Sequence, residues 1–218
     1  MLRSLVGSEM CIRDSCMTLQ LIVDGAQNIR KSRRAQIDYG RTQGGVVRYA
    51  RQGPFITTFE ITPGYPTHAV TDSFVGQYNT FLLGPYNISF KSETVRTLGD
   101  IAGSSPQVAG VGQTGTTLNI DGLNPSTVNV LRQGDVIRIT GVEFTYVVTN
   151  NVSSSGTGTT TLTLDMPLQS SPGDNAAITV GSDIVWPLYL EQVPDDTGLG
   201  RIPGFSTYGG TFVLREGQ

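Results

Sequence analysis

The sequence predicts an all-β protein with one short helix, divided into two β domains, and three observations carry that expectation. Charged residues make up only 15% of the chain while Gly alone supplies 27 residues, and Thr, Ser and Val are also plentiful. That composition suits short strands joined by turns, whereas helices favour Ala, Leu, Glu and Lys. Apolar and polar residues alternate at period two in several stretches, as in half-buried strands. In the second half, turn signals separate brief β-prone runs at short intervals, the pattern of a small barrel or sandwich.

The start of the chain is a separate matter. Leu5 to Asp14 read LVGSEMCIRD, an in-frame translation of a common sequencing adapter. Residues 1–16 are therefore expected to be an assembly remnant outside the fold, with the authentic N-terminus missing. The two cysteines, Cys11 and Cys16, fall in or beside this stretch, so neither a disulfide framework nor a Cys-based zinc site is expected. No apolar run approaches the ~18 residues of a membrane span.

Ser32 to Tyr39 and Val46 to Ala50 flank Gly40 to Gly45 as a hairpin, the glycines supplying positive φ. Gly53-Pro54 is expected to break the chain. Beyond it Phe55, Thr57, Phe59 and Ile61 alternate with Ile56, Thr58 and Glu60 as one strand. The short helix follows Pro66, with Thr67 as its cap and Val70, Phe74, Val75 and Tyr78 on one face. Thr80 to Pro85 and Tyr86 to Phe90 return to strand composition.

Gly99 to Gly115 reads as a boundary. Five strands are predicted beyond it: Thr116 to Ile120, Asp135 to Thr140, Glu143 to Thr149, Thr159 to Asp165 and Ala177 to Val180. Two longer ones, Ile184 to Gln192 and Thr207 to Glu216, enclose a projecting loop from Val193 to Phe205. The expected division is thus a discontinuous first domain, 17–105 with 183–218, and an inserted small β-barrel, 106–182.

Charge is unevenly placed. Arg30, Lys31, Arg33, Arg34, Arg41, Arg48 and Arg51 are opposed only by Asp38 within their stretch, while from Gln52 onward six basic residues face 14 acidic ones, a net of −8. Such a strip can bind nucleic acid, but a solvated or subunit-facing strip is the expectation. The acidic remainder repels phosphate, and Tyr39 and Tyr49 are too few for a base-stacking platform. Arg33, Arg34, Arg41, Arg48 and Arg51 are the interface candidates.

Catalytic chemistry is not expected. His68 is the sole histidine, so a Ser-His-Asp triad would have to use it, beside no nucleophile motif. One His and no Cys in the body leave no transition-metal ligand set, and no cofactor is predicted. Gly110 to Thr117 has the glycine spacing of a phosphate loop, but Thr116 stands where the lysine belongs and a strand follows in place of a helix. Asp195 and Asp196 could pair with Glu191 as a carboxylate site for calcium or glycoside chemistry, but adjacent strand carboxylates point to opposite faces.

Arg34 to Thr62, the predicted helix and Gln77 to Pro85 resemble the N-terminal part of short distal tail proteins of tailed bacteriophages. Gly112 to Gly115, Asp121-Gly122, Val130 to Ile139, Tyr146 to Thr149, Ser155-Gly156 and Thr161 to Leu168 resemble the small barrel inserted in those proteins. Gly210 to Glu216 resembles the strand that completes their first domain. The resemblance implies a tail-tube-like β-sandwich or barrel with an inserted small barrel, and a non-enzymatic virion protein assembled in the host cytoplasm. It also implies a homo-oligomeric ring, commonly a hexamer, between the tail tube and the baseplate or tail tip. DNA would pass its lumen without sequence readout, and no membrane is involved. The alternative is a carbohydrate-binding module of a phage adhesion or receptor-binding protein. It would stack sugars on Trp186, Tyr189, Phe205 or Tyr208, although core packing is the expectation for Trp186 and Tyr189.

Overall fold

The computed structural model describes residues 19–41, 47–65, 67–70, 72, 84–192, 199–202, 205–208 and 210–217, with backbone alone at 36–41, 47–52, 199–202 and 205–208. The chain is all-β. Its strands are β1 (Asn28–Arg41), β2 (Val47–Thr62), β3 (Tyr86–Ser89), β4 (Gln107–Val108), β5 (Thr117–Asp121), β6 (Val136–Ile139), β7 (Thr145–Val147), β8 (Thr160–Thr163), β9 (Ile178–Val180), β10 (Val185–Gln192), β11 (Leu199–Ile202), β12 (Phe205–Tyr208) and β13 (Phe212–Glu216). Among the described residues no helix is long and apolar enough to cross a membrane.

Two compact units divide the chain: Met1–Ser32 with Thr57–Thr94 and Val185–Gln218, and Arg33–Ile56 with Val95–Ile184. The division differs from the expected one at three places, because residues 33–56, 95–105 and 183–184 group with the second unit.

The first unit is built on a sheet ordered β1-β2-β13-β10-β3. The alternation read in β2 holds from Thr57 to Ile61, where Thr57, Phe59 and Ile61 are buried and Thr58 and Glu60 partly exposed; before it the order reverses, with Ile56 buried and Phe55 partly exposed. Phe59 stacks on Phe90 at 4.0 Å and meets Trp186 edge-on at 5.0 Å, the two geometries that aromatic quadrupoles favour. Ile61, Ile88, Leu188, Phe212 and Leu214 complete that core.

Four sequence expectations change here. Gly53-Pro54 does not break the chain, and β2 runs through it. The reason is local: β13 pairs with β2 only from Thr58 to Ile61, so one side of the strand at Pro54 has no ladder bond for a proline to remove. A helical segment at residues 19–24 was not foreseen; it buries Leu19, Ile22 and Val23. The predicted loop between β10 and β13 holds a hairpin, β11 paired with β12. The Thr207 to Glu216 strand is divided into β12 and β13. Of the predicted second helix, residues 68–70 and 72 are helical; Phe74, Val75 and Tyr78 lie outside the described residues, as do residues 1–16 and 42–46.

The second unit holds two three-stranded sheets, β4-β5-β8 and β7-β6-β9. Isolated bridges join them at both seams, Val148 to Leu164 between the β7 and β8 ends and Gln107 to Ala177 between β4 and β9. The six strands therefore close on themselves as a small antiparallel barrel, which removes exposed edges. Its interior is apolar, with Leu118, Ile120, Leu131, Ile137, Ile139, Tyr146, Val148 and Leu162 fully buried. Asp135 is the buried exception. Its carboxylate accepts the backbone amides of Leu98, Gly99 and Arg132, so the charge is met by three donors.

Candidate assembly edge

An open sheet has two edges, and unpaired edges are templates for association. In the first unit they are treated differently. At one end β3 is only four residues long. The carboxamide of Gln20 covers it, accepting from the Ser89 amide and donating to the Ser89 carbonyl, both at 3.0 Å. Gln20 is held there by the helical segment at 19–24, whose apolar side is buried; its amide also reaches Asp24, and Lys91 donates to the Asp24 carbonyl. One side chain thus takes the place of a neighbouring strand.

The other end is β1, 14 residues long, of which residues 28–32 belong to this unit and residues 33–41 to the second. Among the described residues no strand pairs with its outer side. Arg30, Lys31 and Arg34 are exposed along it. Arg30 is 73% exposed and lies 3.8 Å from Glu60, a surface pair of small energetic weight. A cleft of about 290 Å³ adjoins the start of the strand, lined by Asp24, Gln27, Asn28, Lys91, Glu93 and neighbours.

The five arginine candidates do not form one group. Arg34 is exposed on β1. Arg33 is turned into its own unit, where its guanidinium meets Asp165 at 2.9 Å, the Thr145 carbonyl at 2.8 Å and the Thr145 hydroxyl at 3.2 Å. It also lies 5.6 Å from the Phe55 ring centre, within cation–π range. Arg33 is thereby engaged within its own unit, its side chain 16% exposed. Arg41 lies in β1 and Arg48 and Arg51 in β2, with side chains outside the described residues.

Other candidate chemistries fare as follows. The phosphate-loop look-alike enters β5, and its Gly110 amide donates to the Asp174 carboxylate at 2.7 Å. Gln113 ties the same loop together through Ala109, Gly110 and Asn119. A carboxylate therefore occupies the place a phosphate would need. Trp186 is 1% exposed, which removes it as a sugar platform. Tyr189 is half-buried, and the side chains of Phe205 and Tyr208 lie outside the described residues. Glu191 faces Arg215 at 3.7 Å; Asp195 and Asp196 lie outside the described residues. No group of three or more His, Cys, Asp or Glu that could hold a metal occurs among the described residues. Sequence reasoning missed Gln20. The signal was present, since Leu19, Ile22 and Val23 fall at i, i+3 and i+4.

No protein-family model and no curated protein matches the chain.

Proposed function

We propose that the chain is a structural subunit of a bacteriophage tail, a ring-forming distal tail adaptor that links the tail tube to the baseplate or tail tip. The observation that carries this reading is the asymmetry of the first sheet, with its short edge capped by Gln20 and its basic edge, β1, left open among the described residues. A monomer gains nothing from a long open edge, which invites aggregation. A rotationally repeated contact turns the same edge into an interface. In this reading the first unit is the tail-tube-like domain and the closed barrel is its insertion. The work is done by surfaces, and no residue has a catalytic role.

The acidic balance beyond Gln52 fits a lumen that discourages DNA from adhering, and the exposed arginines of β1 fit an acidic face on a neighbouring copy. The test is the mass and shape of the protein from Met17 onward, by light scattering and negative-stain imaging. A closed ring with an open lumen is the expected result. A monomer that persists at millimolar concentration and binds a glycan array would overturn it in favour of the carbohydrate-binding alternative.

A further inference from the structure

We propose that residues 33–56, the part of the β1–β2 ribbon that belongs to the second unit, form a strap over one seam of the barrel, and that Arg33 keeps this seam closed by neutralising Asp165. The two seams are built differently. At the β4/β9 seam the rungs beside the bridge are backbone to backbone, with amide to carbonyl bonds from Val108 to Ala176, Ile178 to Pro106 and Asn175 to Val108; beyond them the Gly110 amide donates to the carboxylate of Asp174, which is exposed to water and calls for no counter-ion. At the β7/β8 seam, the Thr149 amide donates to Thr163 and the Asp165 amide to Val147. The Val147 amide donates instead to the Asp165 carboxylate, at 2.9 Å. A side chain therefore stands in for a strand carbonyl at that seam.

This carboxylate is only 17% exposed. The Arg33 guanidinium answers it with two nitrogens and at the same time grips Thr145 on the β7 side. One planar fork thus spans both sides of the seam, a geometry that lysine does not reproduce. The neighbouring strand of the ribbon adds a second hold, with the Phe55 amide donating to the Met166 sulfur at 3.2 Å and the Phe55 ring packed on the barrel core. Without the Arg33 guanidinium, Asp165 becomes a poorly hydrated charge lacking its counter-ion. Turning it toward water breaks the Val147 bond and frees the ends of β7 and β8. Two unpaired strand edges then face outward, the chemistry with which an extended segment of another chain pairs. Strap and seam form an internal device of the isolated chain, independent of the ring reading.

Amide hydrogen exchange on the folded chain tests this, with the β4/β9 seam as internal control. In Arg33→Met, exchange at Thr149 and Asp165 should rise about tenfold or more, while Val108 and Ile178 stay as they were. Adding Asp165→Asn should restore protection, because the amide oxygen still accepts from Val147 and no charge is left unpaired. Equal loss at both seams, no change at either, or failure of Asp165→Asn to restore the β7/β8 seam would each overturn the proposal. If Arg33→Met does not fold, the double variant decides alone: a folded barrel with both seams protected is expected, and an unprotected β7/β8 seam refutes it.

Discussion

Trp186 shows how far shape alone can hold a side chain in place. Its ring is enclosed by Phe59 and Phe90, and its indole nitrogen finds no hydrogen-bond partner among the described residues. Trp186→Phe keeps an aromatic edge against Phe59 and gives up no hydrogen bond to a described residue, so a loss of about 1–2 kcal/mol is expected, against about 3–5 kcal/mol for Trp186→Ala. Urea unfolding followed by far-ultraviolet circular dichroism measures both. Asp135 is the opposite case, a fully buried carboxylate held by polarity. Asp135→Ala strands three amide donors and should lower stability by about 2–4 kcal/mol, with Asp135→Asn losing less because one oxygen still accepts. Chemical denaturation separates the two. A third residue, Gly181, has φ of 61°, and a Cβ there would overlap the Thr97 hydroxyl. Any side chain at that turn must displace the first stretch of the barrel.

At the level of elements, the two sheet edges make the distinguishing statement. Arg34 is exposed on β1 while Arg33 is locked inside, so Arg34→Glu isolates the contribution of the edge to assembly without disturbing the barrel. About a fivefold to tenfold weaker self-association is expected at low salt, with the difference shrinking toward high salt as screening sets in. Sedimentation velocity across a salt series checks it; an unchanged association constant at low salt would remove β1 from the interface. Sequence patterns revealed the elements unevenly, for physical reasons. Phe59 and Ile61 announced their strand because one buried face imposes period two. The strands β5 to β9 were visible because turns with glycine or proline bracket them. β4 was not: Gln107 and Val108 are a strand only by virtue of partners supplied by β5 and the approach to β9. The Arg33 pairing was equally hidden, because its partner lies 132 positions away and a run of arginines reads as surface until the partner is placed.

For the molecule as a whole, the barrel closes its strand ladder within residues 95–184, with Phe55 and the Arg33 fork added from outside that stretch. Residues 95–184 alone should therefore fold, giving dispersed amide resonances in a two-dimensional NMR spectrum. The β7/β8 seam should exchange faster than in the full chain because the strap is absent. A collapsed spectrum would show that residues 33–56 are part of the barrel's fold and not merely laid over it.

Closure also fixes an order of events in time. The β6–β7 pair is joined by a short turn and can form within microseconds, as hairpins do. The bridge from Gln107 to Ala177 joins residues far apart in the chain, and the entropy of that loop falls only once the intervening strands have already condensed. The barrel is thus a ring whose last link is set by chain connectivity. Until that link forms, a newly made copy carries both free ends of its sheet through the crowded interval in which neighbouring copies are being made.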